Sequence, residues 1–196
     1  MMSSSWTRPP SVDYPRVWLT FEARDLEETG NDGHRTVKYR VQDLPEDRVD
    51  DAIAHMQTHF LRGEPMCSIV GLFKDPVALA EFAELWRSIA AQRCAVVCFR
   101  EGSDEIVGLN MLTVVSKNDP KEQMFKSDGL KLMYDCYVGL LKQSDIFGRY
   151  GVDHYLSAWG LSVHPKYRGR GVATELLRAR IPLCRAMGLR LTVTLF

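Results

Sequence analysis

Six consecutive residues, Arg168-Gly169-Arg170-Gly171-Val172-Ala173, carry the clearest chemical signal in the chain. Leu161-Ser162-Val163 precede them and Thr174-Glu175-Leu176-Leu177 follow, so they read as a strand that stops, turns tightly and enters a helix. The first N–H groups of a helix have no acceptor within the helix and lie at the positive end of its dipole, so they can hold an anion. Glycine at 169 and 171 lets backbone approach phosphate oxygens with no side chain between. The Arg168 and Arg170 side chains are expected to add positive potential. Together these residues describe a pyrophosphate cradle of the pattern Arg/Gln-x-x-Gly-x-Gly/Ala. A dinucleotide-binding or Walker loop would need Gly-x-Gly-x-x-Gly or Gly-Lys-Ser/Thr, and neither occurs here. An RGG-type RNA segment would be repeated, whereas this one is single and flanked by apolar periodicity. Gly-x-Gly alone also fits a structural turn with surface arginines; the strand end at Leu161-Ser162-Val163-His164-Pro165 favours the phosphate reading.

The elements that must position this cradle can be traced from the N-terminus. Residues 1–15, with three serines in a row, Pro9-Pro10 and Pro15, read as a loose or extended lead-in. Residues 16–23 and 35–41 partly alternate around the turn signal Gly30-Asn31-Asp32-Gly33, which predicts a hairpin. Pro45 opens a helix with Glu46 and Asp47 in its first turn, and Val49, Ile53, Met56 and Phe60 give its apolar face. Gly63-Glu64-Pro65 ends that helix, and Asp75-Pro76 begins another that buries Leu79, Phe82, Leu85, Trp86 and Ile89. Residues 94–99 and 106–115 form a second hairpin around 101–104, and residues 116–128 read as loop. A helix over 130–146 and a strand over 155–163 come next. The helix after the cradle runs over 171–187 with a break near Pro182, and residues 189–196 begin a further strand. The expected fold is α/β (α+β), with 1–34 as arm and lead-in and 35–196 as one domain.

Composition narrows the function. Lys+Arg and Asp+Glu both number 25, so the formal net charge is zero, which argues against nucleic acid or an anionic membrane held by the overall field. No apolar run approaches the roughly 20 residues that cross a bilayer, and residues 1–10 lack the pattern of a secretory signal. The five cysteines are odd in number, and Cys94-x3-Cys98 has neither a second pair nor a neighbouring histidine. No metal site is therefore expected, and reduced thiols in a cytoplasmic protein are.

Residues 161–177 resemble motif A of the GNAT acyltransferase superfamily, and the chain from about 35 to 196 resembles its insect arylalkylamine N-acetyltransferase-like group, which includes dopamine and agmatine N-acetyltransferases. The segment Phe60-Leu61-Arg62-Gly63-Glu64-Pro65, with the group's Glu-Pro pair, belongs to this resemblance. It implies a central, mixed but mostly antiparallel sheet flanked by helices and opened in a V between the strand ending at Val163 and the next one. It implies acetyl-CoA as cosubstrate, with backbone of Leu161, Ser162 and Val163 against the pantetheine and residues Arg168, Gly169, Arg170, Gly171, Val172, Ala173 and Thr174 around the pyrophosphate. The Val163 N–H would polarise the thioester carbonyl, and Gly160 would mark a bulge. Glu64 is implied as the general base for a small primary amine; read without the family, it is a solvated glutamate at a helix end. Family members continue beyond the strand at which Phe196 stands, so the resemblance implies a C-terminally incomplete domain, with the general acid among the further elements.

Other side chains stay open at this point. His164 is expected to face solvent beside the cradle, and Met66, Phe73, Tyr155 and Trp159 fit either an amine pocket or core packing. No cysteine is placed as an acyl-enzyme nucleophile, so direct transfer is favoured. Besides an arylalkylamine acetyltransferase, the sequence admits an agmatine or polyamine acetyltransferase, a non-catalytic CoA-binding protein, and a protein acetyltransferase sharing motif A.

Overall fold

A computed structural model describes residues 5–24, 36–119 and 124–194. The sheet has five strands in the order β1-β2-β3-β4-β5: Val17–Arg24, Thr36–Asp43, Val96–Arg100, Ile106–Ser116 and His154–Val163. Every neighbouring pair is antiparallel. Both expected hairpins form. The turn signal at 30–33 and the boundary between lead-in and domain lie outside the described residues.

Helices cover both faces of the sheet, and alternation along the strands divides the core in two. On one face Val41, Val96, Cys98, Val107, Leu112, Val114 and Leu156 pack against Val172, Leu176 and Leu183 of α7 (Val172–Arg178) and α8 (Arg180–Ala186). Leu109 and Met111 face the other way, toward α1 (Val49–His55) and α4 (Pro76–Ala90), whose Phe82, Leu85, Trp86 and Ile89 are buried. Asp75 caps α4 by accepting the Val77 N–H, and Pro76 occupies its first turn, where a missing N–H costs nothing. The division between α7 and α8 falls at Ala179. Pro182 has no N–H for the Arg178 carbonyl and its ring crowds that carbonyl, so the expected break is realised.

Three expectations change. The lead-in is anchored from Ser5 onward: Val12 is buried, and Arg8 pairs at 2.8 Å with Asp43, a fully buried carboxylate that also accepts the Trp18 indole N–H at 2.7 Å and the Arg16 N–H at 2.9 Å. A buried charge requires such partners, and they hold the lead-in to β1 and β2. Second, α1 runs through a π-helical turn, Met56–Phe60, and α2 (Leu61–Gly63), and a further helix, α3 (Pro65–Val70), starts directly after Glu64. Third, the segment from Leu189 does not form a strand among the described residues. It makes one parallel bridge, Leu156 to Thr192, with Leu156 N–H donating to Leu191 O and Val193 N–H to Leu156 O, each close to 3 Å. Residues 195 and 196 lie outside the described residues. No helix among the described residues is long and apolar enough to cross a membrane.

The feature that shapes everything near the cradle is a bulge in β5. Asn110 faces Leu161 and Leu112 faces Ala158, so Trp159 and Gly160 together oppose Met111. Gly160 has φ +119°, and a Cβ there would lie 2.5 Å from Met56 Cε and 2.9 Å from Phe60 Cζ. Both conformation and space demand glycine. Gly160→Ala is therefore expected to lower stability by about 1–3 kcal/mol. Gly139→Ala, in the α5 helix (Asp128–Ser144) where nothing lies within 4 Å of the added methyl, is expected to raise it by about 0.5–1 kcal/mol. Urea unfolding of both variants checks this, and equal effects of the two would contradict it.

Candidate active site

Beyond the bulge, the backbone groups of β5 change sides. His164 N–H donates to Val107 O on β4 at 2.9 Å, and a Cβ on Gly108 of β4 would meet Ser162 O. Ser162 and His164 therefore spend their backbone on β4, and by alternation Leu161 and Val163 present N–H and C=O to the opposite edge. Before the bulge the reverse holds: Leu156 uses its N–H and C=O on the 191–193 segment. The two chains are joined at Leu156, and beyond Gly160 the edge of β5 has no partner strand among the described residues, which makes it one arm of the V that the family resemblance implies.

A cleft of about 400 Å³ occupies this position, and it brings together most of the residues singled out from the sequence. Leu161, Ser162 and Val163 line one side, and Arg168, Gly169, Gly171, Val172 and Ala173 line the end. Glu64, Gly63, Phe60 and His59 form the wall supplied by the helical corner. Gly169 and Gly171 have φ +76° and +77° and open space at the Cβ position, so the turn is left-handed and bare. Gly171 then acts as the N-cap of α7. The Arg168 guanidinium folds back over the strand end, donating from Nε to Val163 O at 3.2 Å.

Three of the expected residues are placed differently from the rest. Ser162 lends its hydroxyl, not its backbone, to the cleft side; its Oγ lies 3.2 Å from His55 Nε2. Arg170 is buried and turned inward, donating to the Tyr39 hydroxyl at 3.1 Å and lying over the Tyr167 ring, so its side chain supports the turn from behind. Thr174 is exposed on α7 and does not line the cleft, though its backbone belongs to the first turn of that helix.

Glu64 is half-buried at the corner between α2 and α3. Its Oε2 accepts the Cys67 N–H at 2.6 Å, so it is the N-cap of α3, with Pro65 following it. Sequence reasoning placed it at a helix end but not as the start of a second helix; Glu-Pro before an apolar stretch was the available signal. The cap fixes the carboxylate at the cleft wall. A carboxylate has two oxygens and about four acceptor positions, so capacity remains for a ligand or proton. Burial and the adjoining Glu64 carboxylate push the Cys67 thiol well above its ordinary range, so Cys67 stays a thiol and donates to Met133 Sδ at 3.7 Å.

Sequence reasoning missed His55 and His59, four residues apart on one helical face. Their rings lie 4.8 Å apart, and His59 lies 4.6 Å from His164, all edge to face. His164 is thus packed rather than solvent-facing, because its ring is also held by the Lys166 N–H and sits beside Tyr167. The three rings pack against one another, and among the described residues no group of three His, Cys, Asp or Glu side chains could hold a metal ion. Burial, then the neighbouring His59 and His164, depress His55 to about 3. Burial, with His164 and Arg168 behind it, also lowers His59. Of the three, His59 lines the cleft, across from the turn that carries Arg168.

A second cavity of about 340 Å³ lies between β4–β5 and the helices α5 and α6 (Ile146–Tyr150). Its lining is mostly aromatic and apolar, including Tyr134, Tyr137, Phe147, Tyr155 and Trp159. Of the four residues considered for an amine pocket, Tyr155 and Trp159 are here. Met66 is exposed and Phe73 packs beneath Arg62 and Lys74, so neither lines this cavity.

The His55 assignment has a measurable consequence. Its folded-state value lies below the 6.5 of a free imidazole, so below about pH 6.5 the unfolded chain binds a proton that the folded chain excludes. Stability from this group is full above that pH and falls as pH drops toward 3, by at most about 1.4 kcal/mol per unit. Urea midpoints at pH 7 and pH 5 should show a smaller acid loss in His55→Asn than in wild type; equal losses would remove His55 from the account.

Comparison with known proteins bears on this geometry. Residues 79–195 match the model of the acetyltransferase (GNAT) family. The chain is 53% identical to the solved structure assigned as arylalkylamine N-acetyltransferase 7 of the yellow fever mosquito Aedes aegypti, with TM-score 0.91 over 98% of this chain and 79% of that one. Arylalkylamine N-acetyltransferase 2 of Aedes aegypti (18% identity, TM-score 0.71) and a Drosophila melanogaster polyamine N-acetyltransferase that forms N-acetylagmatine (18%, 0.68) share the fold, each over 80% of this chain and about three quarters of their own. Among curated protein sequences none matches. An antiparallel sheet opened at a bulged strand, a glycine turn leading into α7 and the family match over both together establish that the chain belongs to the GNAT acetyltransferase family.

Proposed function

We propose that this protein transfers an acetyl group from acetyl-CoA to a small primary amine of the arylalkylamine type, with Glu64 as general base. The observation that carries the reading is that one cleft joins Glu64, the open edge of β5 and the bare turn before α7. The chemical fit is specific. Pantetheine carries amides, and Leu161 and Val163 present backbone donors and acceptors in the alternation an added strand would use. A pyrophosphate needs N–H donors without side chains between, as at Gly169 and Gly171, and the nearby Arg168 guanidinium adds charge.

Bound acetyl-CoA would supply an acetyl group activated as a thioester. The Val163 N–H would donate to the carbonyl oxygen as negative charge grows on it. The amine arrives mostly as an ammonium ion, and Glu64, pinned by Cys67, would take its proton directly or through water before the nitrogen attacks. The cysteines do not offer a nucleophile: burial raises Cys94 and Cys98 to about 12 and Cys184 to about 11, and none lines the cleft. Direct transfer follows. None of the five thiols is in a disulfide, which fits a cytoplasmic enzyme.

The many aromatic side chains of the second cavity suit the aryl group of an arylalkylamine, while Asp119 and Asp145 in the same lining are the groups that a second cation of agmatine or a polyamine would seek. Trp159 belongs both to its wall and to the bulge, and the Cys67–Met133 contact joins α5 to the helix that Glu64 caps. We place the aryl group of the acceptor there.

CoA release by the purified chain, with aryl and aliphatic amines offered in parallel, tests the proposal. Tyramine-like amines should be turned over faster than agmatine or spermidine. Glu64→Gln retains an oxygen for the Cys67 N–H, so it separates capping from proton acceptance; kcat should fall by about 10²–10⁴ with little change in stability. Gly171→Glu, which puts a side chain and a negative charge into the turn, should abolish acetyl-CoA binding. Full activity of Glu64→Gln across pH would refute the base assignment and leave the CoA site standing, whereas CoA binding without turnover of any amine would refute catalysis.

A further inference from the structure

Behind the V, on the face opposite Glu64, stands a polar network that the proposed chemistry does not use. Arg180 is the first residue of α8, and only 4% of its surface is exposed. Asn110, in the middle of β4, is fully buried. With the amide oriented by its neighbours, Asn110 Oδ1 accepts from Arg180 Nη2 at 2.8 Å and Nε at 3.0 Å, and its nitrogen donates to Gly160 O at 3.1 Å. The remaining arm of the guanidinium, Nη1, donates to the Thr194 hydroxyl.

These hydrogen bonds of Arg180 therefore go to neutral acceptors on two separate segments, β4 and the segment after α8. A buried cation is costly, and it persists only where its donors are satisfied in one geometry. The planar guanidinium supplies that geometry: one side grips Asn110, the other reaches Thr194. Asn110 is the residue opposite the end of the bulge, paired with Leu161, and its amide holds the carbonyl of the positive-φ residue. Removing that bond would leave the Gly160 peptide free to rotate, and the direction of the next N–H groups depends on that peptide.

We propose that Asn110 and Arg180 are positioning residues that set the shape of the open β5 edge: Asn110 fixes the bulge, and Arg180 ties the bulge to the neighbouring 189–194 segment. This inference rests on the CoA reading above. It predicts that the two residues govern the strand-like half of the ligand and not the phosphate half, which is held by a separate turn.

Calorimetric titration with two probes separates these halves: CoA, and adenosine 5′-diphosphate 3′-phosphate, which has the phosphates but no pantetheine. Asn110→Asp still accepts from Arg180 but cannot donate to Gly160 O. It should weaken CoA binding about tenfold or more while the nucleotide changes by less than about twofold. Arg180→Met should do the same, and Arg180→Lys, with one ammonium in place of a fork, should recover only part of the loss. Thermal melts identify any variant that does not fold; Asn110→Asp and Arg180→Lys are the milder pair. Equal weakening of both probes, or weakening of neither, would overturn the positioning role. Failure of wild type to bind either probe would instead remove the CoA reading itself.

Discussion

Backbone alternation in β5 reverses phase at Trp159–Gly160, and the geometry of the cleft depends on that reversal. An unbroken β5 would keep the N–H and C=O groups of its even-numbered residues, as at Leu156, directed at the neighbouring 191–193 segment throughout. The extra residue hands that edge to Leu161 and Val163 instead and turns Ser162 and His164 toward β4. The bulge with Gly160 at φ +119° thus turns Leu161 and Val163 toward the cleft. Its surroundings leave no alternative residue: Met56 and Phe60 close the space on one side, and Asn110 holds the carbonyl. The π-helical turn that carries Met56 and Phe60 also presents His59 and Phe60 to the cleft, so the irregularity in the helix and the one in the strand face each other.

Charge around the cleft is distributed with the same economy. The N-terminal end of α7 and Arg168 line the end of the cleft, and Arg170 is withdrawn to brace Tyr39 and Tyr167. His55 and His59, packed edge to face, are both held below the ordinary imidazole range by burial. The Glu64 carboxylate stands on the opposite wall, oriented by its cap on α3. In the proposed reaction, phosphate binding and proton acceptance fall on different elements.

Much of this was legible in the sequence because it is local. A strand end, two glycines two residues apart and an apolar helical period define the cradle without tertiary information, and the order of hairpins and helices followed from alternation and turn residues. Glu64 was legible only through its Glu-Pro neighbourhood and family resemblance. What could not be read is what the tertiary structure decides. The rotation of Arg170 into the core, the Asn110–Arg180 fork and the meeting of His59 with His164 join residues far apart in the chain. Asp43 gave no sign of fastening the lead-in, since a lone aspartate at a strand end is ordinarily solvated. The segment after Gly188 has the alternation of a strand, yet among the described residues it meets β5 only at Leu156, through a single parallel bridge to Thr192.

Amide hydrogen exchange of the chain with and without CoA tests the central claim most directly. The account predicts that CoA slows exchange at Leu161 and Val163 and at the turn and first helical residues 169–174, and leaves the α5 cavity unchanged until an amine is added. Unchanged exchange at Leu161 and Val163 under saturating CoA, or protection confined to the cavity beneath α5, would contradict it.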